Sequence, residues 1–334
     1  MSLARLRALA VFVAAACALT AGAVRVAGQA GRGVTETHAA AIPRAPDGRP
    51  DFQGVWNFST LTPLERPANL ADKKVFTPEE AMAYERDAIA RNDADRRDGG
   101  AAVDVSRAYN DAWYDRGTRL AVIGGVRPTS LITDPPDGRI PTLTPEAERR
   151  ATERAEVRRD HPADNPENRS LAERCLAFNA GPPMLPGPYN NYVQIFQAPD
   201  HVMLLNEMIH DARIVSLDNR PHLAATIHRF LGDSTGRWDG NTLVVDTTNF
   251  TDETNFRGAD ARLHLVERLT LADGDTLVYS FTVDDPTAFT RPWTAVLAMK
   301  RENAQIYEYA CHEGNYALAS ILRGARAEER APQR

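Results

Sequence analysis

Four ionisable side chains share one seven-residue stretch, Glu207-Met208-Ile209-His210-Asp211-Ala212-Arg213. Imidazole exchanges protons near neutral pH, so His210 is a candidate general acid or base. Asp211 is placed to orient it, and Arg213 to hold an anionic or carbonyl oxygen. Glu207 alternates with Met203, Leu205 and Ile209, which puts a carboxylate in an apolar row. Glu267 repeats that anomaly in the middle of Leu263, Leu265, Leu269 and Leu271. A carboxylate on an apolar strand face either pairs with a buried cation or has a raised pKa and works as an acid or base. His210, Asp211, Glu207 and Glu267 are therefore the candidate catalytic groups. Arg213, His222, His312 and Glu313 are candidate substrate contacts. The structural alternatives are a solvated surface turn for the 207–213 cluster and an ion pair with an arginine of another strand for Glu267.

Other chemistries leave weaker marks. Histidines 201, 210, 222, 228, 264 and 312 could donate to zinc, yet none falls in a tight ligand spacing such as H-E-x-x-H. Glu207 and His210, three apart, would oppose each other on a strand. Gly232-Asp233-Ser234-Thr235-Gly236 matches the nucleophile-elbow pattern, which needs a strand before it and a helix after it. Here Arg237–Leu243 reads as a hairpin about Asp239-Gly240-Asn241, so a serine hydrolase would need Ser234 brought to His210 or His222 by folding. Neither a Walker loop nor a dinucleotide fingerprint after a strand is present, and no cofactor and no metal are expected.

The elements that must carry these residues are mainly strands. Runs at Val193–Gln197, Val202–Met208, Arg213–Leu217, Ala225–Phe230, Thr242–Thr248, Leu263–Leu271, Leu277–Val283, Trp293–Lys300 and Ile306–Ala310 are short, rich in branched and aromatic residues, and separated by turn residues. Strands without intervening helices imply an antiparallel meander, hence a barrel or sandwich. One register follows from the pattern: the leucine row of 263–271 meets Leu277, Tyr279, Phe281 and Val283 when Leu271 lies opposite Leu277, and a one-residue slip would turn one row outward. A short helix over Tyr316–Arg323 closes the chain.

Between about residues 60 and 190 the pattern changes to charged helices and proline-rich loops. Thr77-Pro78-Glu79-Glu80 and Thr144-Pro145-Glu146 are helix starts, each with a capping threonine, proline at the first helical position and acids in the first turn. These helices read as solvated elements packed on the sheet. Asp134-Pro135-Pro136-Asp137-Gly138, Gly181-Pro182-Pro183 and Pro186-Gly187-Pro188 mark ordered loops.

The N-terminus reads as a secretory signal peptide: Arg5 and Arg7 precede an apolar run, and Ala21-Gly22-Ala23 offers cleavage after Ala23, with Ala30 as the competing position. Lipidation at Cys17 is the lesser alternative. Residues 24–50 then form a linker, and 51–334 one β-rich domain. Export to the periplasm or beyond leaves Cys175 and Cys311 as an even pair in an oxidising compartment, and a disulfide between them is expected. No later run is long enough to span a membrane. With 39 Lys+Arg against 45 Asp+Glu and a formal charge of −6, the chain has no excess of basic residues for a nucleic-acid partner.

Two resemblances follow from particular blocks. Gly54-Val55-Trp56 resembles the G-x-W arrangement of lipocalin-like barrels, in which the tryptophan plugs one end. Pro46–Trp56, Gly232–Phe250 and Cys311-His312-Glu313-Gly314-Asn315-Tyr316 are similar to the recurrent blocks of a large group of exported bacterial proteins, a resemblance that implies export and no particular activity. The expectation is thus a lipocalin-like barrel, or a sandwich, with a helical insertion. Its function would be cofactor-independent acid–base chemistry of lyase, hydratase or isomerase type on a small, largely apolar organic substrate in the barrel cavity. The alternatives are an exported binding protein for an apolar ligand, and a metal-dependent or serine hydrolase.

Overall fold

The computed structural model describes residues 42–106, 110–178 and 181–331. The expected signal peptide, both cleavage positions, Cys17 and most of the linker lie outside the described residues. Nine strands form a closed barrel: β1 (Gly54–Asn57), β5 (Tyr192–Gln197), β6 (His201–Asn206), β7 (Ala212–Ser216), β8 (Asp233–Asp239), β9 (Thr242–Thr248), β10 (His264–Leu271), β11 (Thr276–Asp284) and β12 (Trp293–Glu302). They pair in that order, and β1 closes the ring by pairing with both β5 and β12. Three short strands belong to the insertion: β2 (Val75–Phe76) and β3 (Arg127–Pro128) pair together, and β4 (Ile132–Asp134) adds to β12. The helices are α1 (Pro78–Asn92), α2 (Ala101–Ser106), α3 (Pro145–Asp160) and α4 (Tyr316–Arg330). The fold is thus mainly β and consistent with a lipocalin-like barrel.

Alternation sets which side chains fill the barrel. Leu265, Leu269 and Leu271 of β10 and Leu277, Tyr279, Phe281 and Val283 of β11 are all buried, and Leu271 stands opposite Leu277 as the apolar pattern requires. Val245, Leu243, Leu297, Met299 and Trp293 complete the same core. From the insertion, Pro182–Leu185 is buried, and the Met184 N–H donates to the Tyr279 hydroxyl at 3.1 Å. The interior is consequently packed with side chains.

Trp56 of β1 is fully buried and donates its indole N–H to the Phe52 carbonyl at 2.8 Å. The Arg301 guanidinium lies 4.3 Å over the Trp56 ring and donates to the carbonyls of Asp51, Gln53 and Gly274. Planar stacking plus several N–H donors is a task lysine could not perform.

The helices form as their termini dictate. Thr77 caps α1 in a full capping box with Glu80, and Thr144 caps α3 with Pro145 behind it. Both are mostly solvated: α1 buries only Ala81, Glu85 and Ala88, and α3 only Ala147.

Three segments depart from the sequence expectation. Ala225–Phe230 is no strand. Its residues sit in an exposed crossover, whose carbonyls at Leu223, Ala224 and Ile227 are taken by the Asn249 side-chain amide, each at 3.1 Å. With that strand absent, β7 and β8 meet in parallel through a single pair, Ser216 with Thr235, so the meander is interrupted there. Asp233–Asp239, which the turn-rich sequence hides, is a strand. Gly236 makes it possible, because a Cβ there would lie 2.7 Å from Val215 and 2.8 Å from Leu217. Ile306–Ala310 is an extended strap without a backbone ladder.

Candidate functional site

Glu267 and Arg213, expected as catalyst and substrate contact, meet inside the barrel as a bidentate ion pair. Arg213 Nη2 donates to Glu267 Oε1 at 2.8 Å, and Nη1 to Oε2. Tyr279 donates its hydroxyl to Oε1 at 2.6 Å. Glu267 is 0% exposed and Arg213 5%. Burial, reinforced by Glu267, pushes the Tyr279 phenol well above its ordinary pKa, so it stays a donor. Every Glu267 lone pair that matters is spent within the core, which makes the triad a structural pin rather than a proton donor to a substrate.

The dense 207–213 cluster is also spent on the fold. The inward row of β6 is Val202, Leu204 and Asn206, so Met203 and Leu205 face outward, and Glu207 lies beyond the strand in the following turn. Its register was the opposite of the sequence expectation. Glu207 Oε1 accepts the Tyr307 N–H at 3.1 Å, and His210 Nδ1 lies 3.0 Å from the Tyr309 carbonyl. These two side chains replace the missing ladder along the strap, while Tyr189 and Tyr309 stack beside Met208 and Ile209. Asp211 makes no hydrogen bond to His210 through its side chain, and burial pushes its carboxyl up to about 6 against the opposing pull of His210. Ile209 and His210 both adopt left-handed backbone, at φ 59° and 43°, which lets the turn present its side chains to the strap.

His312 and Glu313 are exposed at the strap's end, beside the Cys175–Cys311 disulfide, which is formed. His222 belongs to a network on the outer face. Its Nδ1 lies 3.2 Å from Asp233 Oδ2 and its Nε2 2.9 Å from Asp246 Oδ1, while His264 Nε2 lies 3.0 Å from Asp246 Oδ2. Arg220 grips Asp233 with two nitrogens at 2.9 and 3.0 Å. Burial pushes Asp233 up, but Arg220, the Leu223 N–H and His222 together hold it at about 2. The hydrogen bond to Asp246 raises His264, with burial opposing. Ser234 points inward and bonds Thr247 at 2.9 Å, away from any imidazole, so the nucleophile-elbow match has no histidine partner. Among the described residues no group of three or more His, Cys, Asp or Glu is arranged to hold a metal ion. The candidates His210, Glu267, His222 and His312 thus occupy separate places in the fold.

A different set converges on a cleft of about 420 Å³ between the barrel wall and the insertion. Asn57 of β1 stands between Tyr192 of β5 and Lys300 of β12 on the outer face, with Glu302 two residues further along. Tyr192 donates to Glu302 Oε2 at 2.9 Å, and the Asn57 amide to Oε1 at 3.0 Å. Opposite them runs the loop from Asp111 to Arg119. Gly117 lets it approach, since a Cβ there would stand 3.1 Å from the Ser59 and Thr60 backbone, and its φ is +73°. Asp115 is anchored through its backbone: its N–H donates to the Pro188 carbonyl at 2.8 Å, and its carbonyl accepts the Asn191 amide.

The Asp115 carboxyl is raised by burial, with Asn191 partly opposing and the nearby charges of Glu207 and Glu302 adding to the rise. Its Oδ2 is buried without a hydrogen-bond partner. Tyr192 is pushed well above its ordinary pKa by burial, by its bond to Glu302 and by the charge of Asp115. Two carboxyl groups with one phenol between their influences, one of them biased to keep its proton, form an acid–base arrangement.

Sequence reasoning missed Asp115, Tyr192, Glu302 and Asn57. Asp115 sits in a loop with no periodicity, and Tyr192 and Glu302 sit at strand ends. The outward positions Asp246 and His264, by contrast, could have been read from the alternation of β9 and β10. Compared with known proteins, the chain matches no family model and no curated sequence. Its class rests on the fold, a lipocalin-like barrel with a polar cleft in its wall.

Proposed function

We propose that this protein is an exported barrel enzyme that moves protons on a small polar molecule held in the wall cleft, with Asp115 as proton donor and Glu302 as acceptor. The reaction type is that of a lyase, hydratase or isomerase, in which one group protonates an oxygen while another takes a proton from carbon or water. Asp115 carries the reading: burial, with the charges of Glu207 and Glu302 adding to it, raises its carboxyl, and it lines the same cleft as Glu302. Glu302 is oriented through both oxygens by Tyr192 and Asn57. The packed interior argues for a polar substrate at the wall in place of an apolar one in the barrel.

Export is part of the proposal. The Cys175–Cys311 disulfide fits an oxidising compartment, and among the described residues no helix is long and apolar enough to cross a membrane.

The test is a carboxyl-carbon NMR titration joined to a turnover screen of small hydroxylated and carbonyl compounds. Asp115 should titrate above the ordinary carboxylate range, and Glu302→Gln should lower its pKa by removing a neighbouring charge. Any turnover found should vanish in Asp115→Asn. An Asp115 that titrates near 4, or turnover that survives in both variants, defeats the proposal. Saturable binding that Asp115→Asn weakens, without turnover of the bound compound, would leave a binding protein with the same cleft.

A further inference from the structure

A second cavity lies at the far end of the chain, between α4 and the loop that follows α3. It has a volume of about 560 Å³, and its walls include Arg323, Arg326 and Arg330 from α4 facing Asn165 and Pro166, over an apolar floor at Leu322.

The three arginines recur at i, i+3 and i+7, so they share one helical face. Like charges at this spacing destabilise a helix unless something compensates them. Arg326 is compensated: it donates to the Asp164 carbonyl at 2.6 Å, to the Ala163 carbonyl at 3.2 Å and to Glu329 at 2.5 Å. The nearest acid on the opposite wall, Asp164, is engaged by His161 at 2.8 Å. Arg323 and Arg330 have no ion-pair partner among the described residues, and the Arg326 Nε is buried without a hydrogen-bond acceptor. This concentration of positive charge stands in a chain whose formal charge is −6.

We propose that this cavity binds a multivalent oxoanion, a phosphate or sulfate group carried on a small organic molecule. Guanidinium groups present paired N–H donors that match the oxygens of such anions, and α4 holds two of them on either side of the anchored Arg326. The volume exceeds that of the bare ion, and Leu322 and Pro166 supply an apolar surface for its organic part. The site shares no residue with the Asp115 cleft, so it stands or falls independently of the acid–base reading.

Titration of the full-length mature protein with inorganic phosphate, followed by calorimetry and by arginine Nε–H NMR, tests this. Saturable binding is expected, weakened at least about tenfold by Arg323→Ala and by Arg330→Ala and lost in the double variant, with unfolding curves unchanged. Sulfate should compete with phosphate. Lack of saturation, an equal response to chloride at matched ionic strength, or unaltered affinity in the Arg323→Ala/Arg330→Ala variant would overturn the proposal.

Discussion

Replacing Glu267 with Gln removes the negative partner of a guanidinium that is 5% exposed while keeping the side chain's size. Arg213 then loses its charge compensation, and Tyr279 donates to an amide in place of a carboxylate. Breaking a buried pair from one side costs about 3–5 kcal/mol, against roughly 5–15 kcal/mol of total stability for a typical protein. Arg213→Met with Glu267→Leu removes both charges together and should cost little or even stabilise by about 1–4 kcal/mol, because neither ion needs to leave water. Tyr279→Phe should fall between, at about 2–4 kcal/mol. It loses a bond to a carboxylate and leaves the Met184 N–H without an acceptor. Urea unfolding followed by tryptophan fluorescence reads all three, since Trp56 and Trp293 are fully buried. The wall cleft lined by Asp115 and Glu302 should be unaffected in the double variant. If Glu267→Gln costs under about 1 kcal/mol, or if the double variant is as damaged as the sum of the singles, the pin is not what its geometry indicates.

Asp211, raised to about 6, binds a proton in the folded state that it has lost when unfolded, so folding stability should fall as pH rises from about 4 to 6. Asp211→Asn should remove that slope and stabilise at pH 7 by about 1–2 kcal/mol, after allowing for partial solvent screening; a flat pH profile in the wild type would contradict it. His264 behaves in the opposite chemical sense but with the same sign. Its raised pKa contributes stability below about 6.5 that disappears as pH climbs through the folded value, and His264→Gln should flatten that decline in thermal melts taken from pH 6 to 9. Asp233, held at about 2, contributes stability present above about 4 and lost as pH falls toward 2, so Asp233→Asn should lose about 2 kcal/mol at pH 7 and nothing at pH 2. Removing the disulfide by Cys175→Ser with Cys311→Ser opens a link across 136 residues and should cost about 2–5 kcal/mol by chemical denaturation, releasing strap and α4 first; proteolysis that starts elsewhere would argue against that order.

Much of the barrel was legible because strand alternation and burial carry the same information. The β10 and β11 rows, their register at Leu271 and Leu277, and the anomaly of Glu267 all followed from period two. So did the capped helices, whose terminal donors demand a small set of residues. The errors were equally physical. Turn-forming residues hid β8, because Gly236 serves close packing there and not a turn. Ala225–Phe230 and Ile306–Ala310 carry strand-like composition, yet the side chain of Asn249 binds the Ile227 carbonyl, and those of Glu207 and His210 bind the backbone of Tyr307 and Tyr309, in place of a neighbouring strand.

By itself the sequence determined the mainly β architecture, as a barrel or a sandwich, the helical insertion, the Cys175–Cys311 link and the presence of a carboxylate inside an apolar wall. Those features depend on local periodicity, on capping chemistry, or on the parity of two cysteines. The pairing of β1 with β12 decided that the sheet closes. Only the tertiary structure decided what the ionisable residues do. Arg213 neutralises Glu267 from three strands away, whereas Glu207 and His210 bind a strap a hundred residues later. Asp115 and Glu302, far apart in sequence, line one cleft, and Tyr192 holds Glu302 from the neighbouring wall. A side chain's protonation and partner are set by what surrounds it in space, and spacing along the chain carries no record of that.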